Sequence, residues 1–329
     1  MAPCGRCSLC LGAVLVIPLA AILAALFESP TRTKFAWDTV PSTSVREFGK
    51  PRTQPSASAP QASIDEVAFG SGKMFDKIAF AYDIGNRWMS LGLDQFWRQT
   101  LLDQCLQVQS GDSILDLATG TADVALLVGG RLKEISAAHT EKKSSVVGVD
   151  PSREMLRKGV DKVHLAGLED IIHLHQGDAQ NLTMVESVMD KSPVPGGLEG
   201  LEASTIDKVS MSFGIRNVPD RRLALKEMVR VLRKSETSRV CILEFSLPDG
   251  SSTLSKVAQM FIQHIIPFIG KIATFGRGSA EYQYLERSIV EFPSPKDFAA
   301  EMTQNGLPVQ DITSFAFGSV QLYSAFLKL

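Results

Sequence analysis

The residues able to do chemistry collect at the ends of two apolar runs. Ile114-Leu115-Asp116-Leu117-Ala118-Thr119-Gly120-Thr121-Ala122-Asp123 carries a strand into a turn of small residues, and Val146-Val147-Gly148-Val149-Asp150 ends a second strand in a carboxylate. A small-residue turn lets backbone come close to a ligand, and a strand-end carboxylate accepts hydrogen bonds from a ribose diol, so the pair suits an adenosyl group. The phosphate-binding pattern G-x-G-x-x-G is missing and no lysine stands in the turn. The expected ligand is a nucleoside without phosphates, of which S-adenosylmethionine is the common one.

Those residues need strands that hold them at one edge. Ser113–Leu117, Ser145–Asp150, Ile171–Gln176, Lys208–Ser212 and Arg239–Phe245 read as strands, the last with the continuous apolar character of a buried parallel strand. Helices are expected over Asp123–Leu132, Pro151–Ala166 and Asp220–Leu232, the last presenting Leu223, Leu225, Met228, Val229 and Leu232 along one face. Alternating strands and helices imply an α/β fold with a mostly parallel, doubly wound sheet. Ligands of such sheets lie beyond the carboxyl ends of the strands, where Gly120, Asp150, Asp178 and Ser212 would gather. Met74–Gln104 reads as helical and carries Phe75, Phe80, Tyr82, Trp88, Phe96 and Trp97, which suits a packed lid, a wall of the substrate pocket, or both.

The 329 residues hold 44% hydrophobic and 21% charged side chains, enough apolar material for a sizeable enzyme core. A net charge of −2 argues against a nucleic-acid partner. Cys4, Cys7 and Cys10 have no nearby histidine or fourth cysteine, and the histidines His164, His173, His175 and His264 show no ligand spacing, so no metal site is expected. Cys105 and Cys241 look isolated, suggest no disulfide framework and favour a reducing compartment. Ser8–Phe27 carries no charge and resembles a signal segment; Ser29–Ser63 is rich in Ser, Thr and Pro, and its bases outnumber its acids. Residues 1–64 therefore read as a targeting leader that does not fold or is removed, of the two-part kind used to enter a plastid, with a mitochondrial leader or a membrane anchor as the alternatives. Residues 65–329 read as the catalytic domain, with surface loops at Ala137–Ser145 and Lys191–Ser204.

Several ordered motifs then resemble one family. Phe75-Asp76-Lys77-Ile78-Ala79 with Tyr82-Asp83, Asn86, Met89-Ser90-Leu91-Gly92 and Trp97-Arg98 resemble the entrance motif of the ubiquinone/menaquinone biosynthesis C-methyltransferase family (UbiE/MenG type). Ser212-Phe213-Gly214-Ile215-Arg216-Asn217-Val218 resembles its second signature. Glu227-Met228-x-Arg230-Val231-Leu232, Leu243-Glu244-Phe245-Ser246, Tyr282-x-Tyr284-Leu285 and Phe292-Pro293 follow in order. The resemblance implies a Rossmann-like methyltransferase fold with an N-terminal helical lid, S-adenosylmethionine as donor and a prenylated quinol ring carbon as acceptor. It places Asp116, Gly120, Thr121, Asp150, Asp178, Ala179 and Ser212 at the donor. Thr119 and Ala122 stand where the family usually has glycine, so their side chains could press on the donor's methionine moiety, while Gly120 keeps the tightest point of the turn.

A quinol ring carbon becomes nucleophilic when an adjacent hydroxyl ionises, and a cation in a dry pocket stabilises that phenolate. Arg216 is the expected cation, Asn217 helps hold the water that takes the ring proton, and Tyr82 and Asn86 orient a quinol hydroxyl. Leu254, Val257, Ala258, Phe261, Ile265, Phe268, Ile269 and Ile272 recur at helical spacing, as an ordinary cover helix or as a channel for the isoprenoid tail. A substrate of this kind implies peripheral membrane contact, and the enzyme could work as a homodimer or inside a quinone-biosynthesis complex. The competing readings are a small-molecule O-methyltransferase and a non-catalytic subunit that keeps the fold, the latter supported only by the two replaced glycines. Phe315-Ala316-Phe317-Gly318 with Leu322-Tyr323 leans towards menaquinone-type members, hence a naphthoquinol rather than a benzoquinol.

Overall fold

In a computed structural model, nine strands form one sheet in the order β1-β8-β9-β7-β6-β2-β3-β4-β5. Residues 30–34, 76, 87, 90, 92–136, 143–189, 200–248, 253, 256, 259 and 287–327 are described. Along the chain these are β1 (Thr31–Lys34), α1 (Leu93–Thr100), a π-helical turn (Leu101–Leu106), β2 (Ser113–Leu117), α2 (Asp123–Ser136), β3 (Ser145–Asp150), α3 (Arg153–Ala166), β4 (Ile172–Asp178), β5 (Asn181–Ser187), β6 (Lys208–Ser212), a 3-10 turn (Ile215–Asn217), α4 (Arg221–Val231), β7 (Arg239–Phe245), α5 (Pro295–Gln304), β8 (Val309–Phe315) and β9 (Val320–Phe326). Strands β7, β6, β2, β3 and β4 run parallel; β5, β9, β8 and β1 add antiparallel edges.

Leu115, Leu117, Val147, Val209, Val240 and Ile242 point to one face, beneath α4 and α5. Ile114, Val146, Leu174 and Leu243 point to the other, beneath α1, α2 and α3. The period-two alternation of the strands thus feeds two cores on either side of one sheet. The buried stripe of α4 is Ala224, Leu225, Met228 and Val231, whereas Leu223 is exposed. Leu223 falls one residue off the three-and-four spacing that the strip follows, so its place on the core face is corrected.

Two expectations change with the fold. Cys105 in the π-helical turn and Cys241 in mid-β7, 136 positions apart, form a disulfide with Cα atoms 5.9 Å apart. Chain folding rather than sequence spacing pairs them, so the reading of isolated thiols is corrected. Thr31–Lys34, inside the stretch whose composition suggests no folding, pairs antiparallel with β8, and Arg32 meets Asp311 at 2.6 Å. The proposed tail-channel segment, the motif around Tyr282 and Tyr284, and positions 191–199 of the expected surface insertion lie outside the described residues, apart from positions 253, 256 and 259, which are helical.

Candidate active site

Strand order reverses between β2 and β6, since the chain runs from β2 outward to β3 and β4 and then returns to β6 and β7 on the other side. Loops diverging from such a point leave a crevice between them. The crevice here is an open cleft lined by Ala118, Gly120, Val149, Asp150, Pro151, Met155, Asp178, Ala179, Met211, Ser212, Phe213, Gly214, Asn217, Val218 and Pro219.

The turn after β2 is built on left-handed backbone at Ala118 (φ 50°), Gly120 (φ 56°) and Ala122 (φ 66°). Such angles are free for glycine and strained for alanine, so the surroundings must hold them. Asp150 does part of this: its Oδ2 accepts from the Gly120 amide at 2.9 Å and its Oδ1 from the Ser152 amide at 2.8 Å. Burial pushes the Asp150 carboxyl up to about 6, and the two amide bonds pull the other way. Ser152 caps α3 by accepting from the Met155 amide, and Asp76 in turn accepts from Ser152 Oγ at 2.6 Å. The entrance motif is thereby tied to the helix that follows Asp150. Asp178 accepts from the Gln180 amide and side chain beside Ala179.

Six candidate residues therefore share the cleft: Gly120, Asp150, Asp178, Ala179, Ser212 and Asn217. Ser212 Oγ is buried with no hydrogen-bond partner among the described residues. An orphaned hydroxyl on a cleft wall is what a bound polar ligand satisfies.

Three other candidates lie elsewhere. Asp116 is one pleat inside the sheet edge, where Oδ1 accepts from Ser210 Oγ and Oδ2 from Thr119 Oγ1, both at 2.7 Å. Its carboxyl, pushed up to about 6 by burial, ties β2 to β6 and to the turn, and it does not line the cleft. Thr121 is buried at the start of α2, its hydroxyl accepting from Lys162 Nζ at 2.9 Å. Arg216 does not present a bare cation to the cleft: Nη1 donates to Glu244 Oε1 at 2.5 Å and to the Phe213 carbonyl at 2.9 Å. Its 3-10 turn aims the side chain back against β7, so the cation expected to face the acceptor is corrected to a buried ion pair with Glu244. Tyr82 and Asn86 lie outside the described residues.

The replaced glycines do not obstruct the cleft. Thr119 folds down over Gly148, where an added Cβ would stand 2.9 Å from its hydroxyl, and Ala122 is buried towards Gly159. Neither lines the cleft.

Motif matching leaves two functional neighbours without a role. Lys162 on α3 reaches both Thr121 and Asp123, and Asp123 also meets Arg98 at 3.3 Å, joining the donor turn to α1. Glu244 is a carboxylate inside the apolar run of β7, a signal in itself, since a buried charge requires a partner.

The ubiE/COQ5 methyltransferase family profile matches residues 64–326. Ubiquinone/menaquinone biosynthesis C-methyltransferase UbiE of Geotalea uraniireducens is 38% identical over 235 residues, covering 71% of this chain and 86% of that protein. UbiE of Geobacter sulfurreducens is 35% identical over 252 residues, 76% of this chain and 86% of its own length. Demethylmenaquinone methyltransferase of Thermotoga maritima is 32% identical over 237 residues, 72% of this chain and 87% of its own. With the cleft at the strand-order reversal and these matches across the folded region, the chain belongs to the ubiE/COQ5 methyltransferase family.

Proposed function

We propose that the chain transfers a methyl group from S-adenosylmethionine to a ring carbon of a prenylated quinol in quinone biosynthesis. The observation that carries this is the convergence of Gly120, Asp150, Asp178, Ala179 and Ser212 on one cleft that also holds Asn217. The donor-type residues come from the carboxyl ends of β3, β4 and β6 and from the turns after β2 and β4, and Asn217 from the signature that resembles the acceptor motif.

The donor supplies a methyl carbon activated by a sulfonium, so the protein's work is positioning and charge stabilisation. Asp150 retains lone pairs beyond its two amide bonds and accepts the ribose hydroxyls. Ser212 gives its orphaned hydroxyl to the same ligand, and Asp178 with Ala179 faces the adenine. On the acceptor side, ionisation of a ring hydroxyl raises the nucleophilicity of the neighbouring carbon, and a preorganised dipole stabilises the resulting oxyanion. Asn217 is the cleft-lining group for that task; Tyr82 and Asn86 orient a hydroxyl. Arg216 acts as half of a neutral pair, shaping the loop that carries Asn217. The ring proton leaves through a water held at Asn217.

A naphthoquinol is the acceptor we favour, on the likeness of Phe315–Gly318 to menaquinone-type members. We assign residues 1–64 to a targeting leader directing the enzyme to a plastid, where it meets its bilayer-resident substrate as a peripheral protein, either as a homodimer or within a quinone-biosynthesis complex. Removal of residues 1–64 would take β1 along with them.

The decisive experiment is methyl transfer by the full chain to a demethyl naphthoquinol and a demethyl benzoquinol, alongside donor binding by calorimetry. Turnover of the naphthoquinol in preference to the benzoquinol is expected. Absence of donor binding would favour the non-catalytic reading, and donor binding with turnover of neither quinol would overturn the assignment of the acceptor. Fusion of residues 1–64 to a fluorescent protein tests the address, and co-sedimentation with liposomes tests the membrane contact.

A further inference from the structure

We propose that Glu244 is a positioning residue for this transfer, a clamp that sets the Phe213–Asn217 loop and so aims Asn217 at the acceptor. The proposal rests on the methyl-transfer reading above.

Glu244 stands at the carboxyl end of β7, fully buried, where the strand's preceding residues Val240–Leu243 are all core. Oε1 accepts from Arg216 Nη1 at 2.5 Å and from the Phe245 amide at 2.7 Å, while Oε2 accepts from the Arg216 amide at 3.2 Å. One carboxylate thus grips both the main chain and the side chain of Arg216. Arg216 passes the constraint on: the same Nη1 donates to the Phe213 carbonyl, and its guanidinium carbon lies 5.3 Å from the centre of the Phe245 ring.

The loop so held is not relaxed. Phe213 has φ 57°, a left-handed angle that a bulky residue keeps only when its surroundings impose it. Ser212, Phe213, Gly214, Asn217, Val218 and Pro219 line the cleft, whereas Glu244 and Arg216 do not. Glu244 therefore acts through Arg216 and the loop, without touching a substrate. Replacing it leaves a buried guanidinium without its counter-charge and frees the Arg216 amide, so the loop would turn towards water.

The test uses the full chain with Glu244→Gln, Glu244→Asp, Arg216→Gln and the double variant Glu244→Gln/Arg216→Gln. Donor affinity by calorimetry, kcat and KM for demethyl quinol in detergent, and hydrogen exchange at the Arg216 and Phe245 amides are measured on each. Glu244→Gln is expected to lower kcat by about tenfold or more, to leave donor Kd within about twofold, and to speed exchange at both amides. Glu244→Asp should recover part of kcat. The double variant should be no slower than the worse single, because both changes open the same clamp. Wild-type kcat in Glu244→Gln, or a double variant whose loss is the product of the two single losses, overturns the proposal. If Glu244→Gln does not fold, Glu244→Asp and Arg216→Gln decide it: unaltered exchange at Phe245 in both overturns the clamp. A wild-type protein that methylates neither quinol refutes the methyl-transfer reading, while the exchange measurements still decide whether Glu244 holds the loop.

Discussion

The two halves of the sheet hold their ends of the cleft by different means. On the β2–β5 side the site is mostly backbone: left-handed turns at Ala118, Gly120 and Ala122, and amides of Gly120 and Ser152 fixed by Asp150. On the β6–β9 side it is mostly side chains: the Arg216–Glu244 pair, the Cys105–Cys241 disulfide, and the mutually tilted rings of Phe213 and Phe245 with centres 4.6 Å apart. A backbone-built site tolerates exchange of side chains that point away from the ligand, and the side chains of Thr119 and Ala122 pack towards Gly148 and Gly159 rather than into the cleft. A side-chain-built site lacks that tolerance, because each link is specific to its two partners.

The largest test of that contrast is the disulfide. Closing a 136-residue separation stabilises the fold by about 5 kcal/mol on chain-entropy grounds. The double variant Cys105→Ser/Cys241→Ser should unfold at markedly lower denaturant, yet keep its donor Kd if the donor half is independent. Identical midpoints with and without reductant would show that the cross-link contributes nothing.

His175 on β4 is the corresponding weak point of the donor half, fully buried with both ring nitrogens lacking a partner among the described residues. Burial lowers its proton affinity to about 4 from an ordinary 6.5, so the unfolded chain binds the proton better. Its contribution is therefore intact above pH 6.5 and disappears as pH falls towards 4, a loss of about 3 kcal/mol. His175→Leu should flatten that part of the acid limb in denaturant titrations; an unaltered limb would place the acid sensitivity elsewhere.

Asp150→Ala separates the halves directly. Losing an ionised acceptor for the ribose diol costs about 3 kcal/mol, roughly 100-fold in donor Kd by calorimetry. Arg216→Gln should leave that constant within about twofold, since its links belong to the other half. With the Asp150 carboxyl at about 6, donor binding should be flat above that pH and weaken below it, as protonation removes the acceptor. Equal effects of the two substitutions on donor Kd would erase the distinction between the halves.

The smallest expected effect is at Ala122. Glycine relieves its left-handed strain but adds freedom to the unfolded chain, leaving a net gain of about 1 kcal/mol for Ala122→Gly. A lower melting temperature would mean that the Ala122 methyl, buried towards Gly159, contributes more packing than the strain costs.

The residues themselves determined the parallel centre of the sheet. Ser113–Leu117, Ser145–Asp150, Lys208–Ser212 and Arg239–Phe245 have limits that coincide with β2, β3, β6 and β7. Three of them are legible because a strand buried on both faces is mostly apolar, whereas Lys208–Ser212 alternates polar residues with Val209 and Met211. The added strands were not legible: β5, β8 and β9 mix polar residues such as Thr183, Thr313, Ser314 and Gln321 into their runs, and β1 is four exposed residues in a stretch with the composition of a flexible leader. The cleft residues Gly120, Asp150, Ser212 and Asn217 were readable because each follows a recognisable strand end or motif. Pairings across the chain were not, for they depend on which strands become neighbours. Only the tertiary structure turned Arg216 away from the cleft onto Glu244, lowered Asp116 beneath the site and joined Cys105 to Cys241. Local patterns record whether a residue is buried, whereas partners distant in sequence are chosen by the packing of the whole sheet.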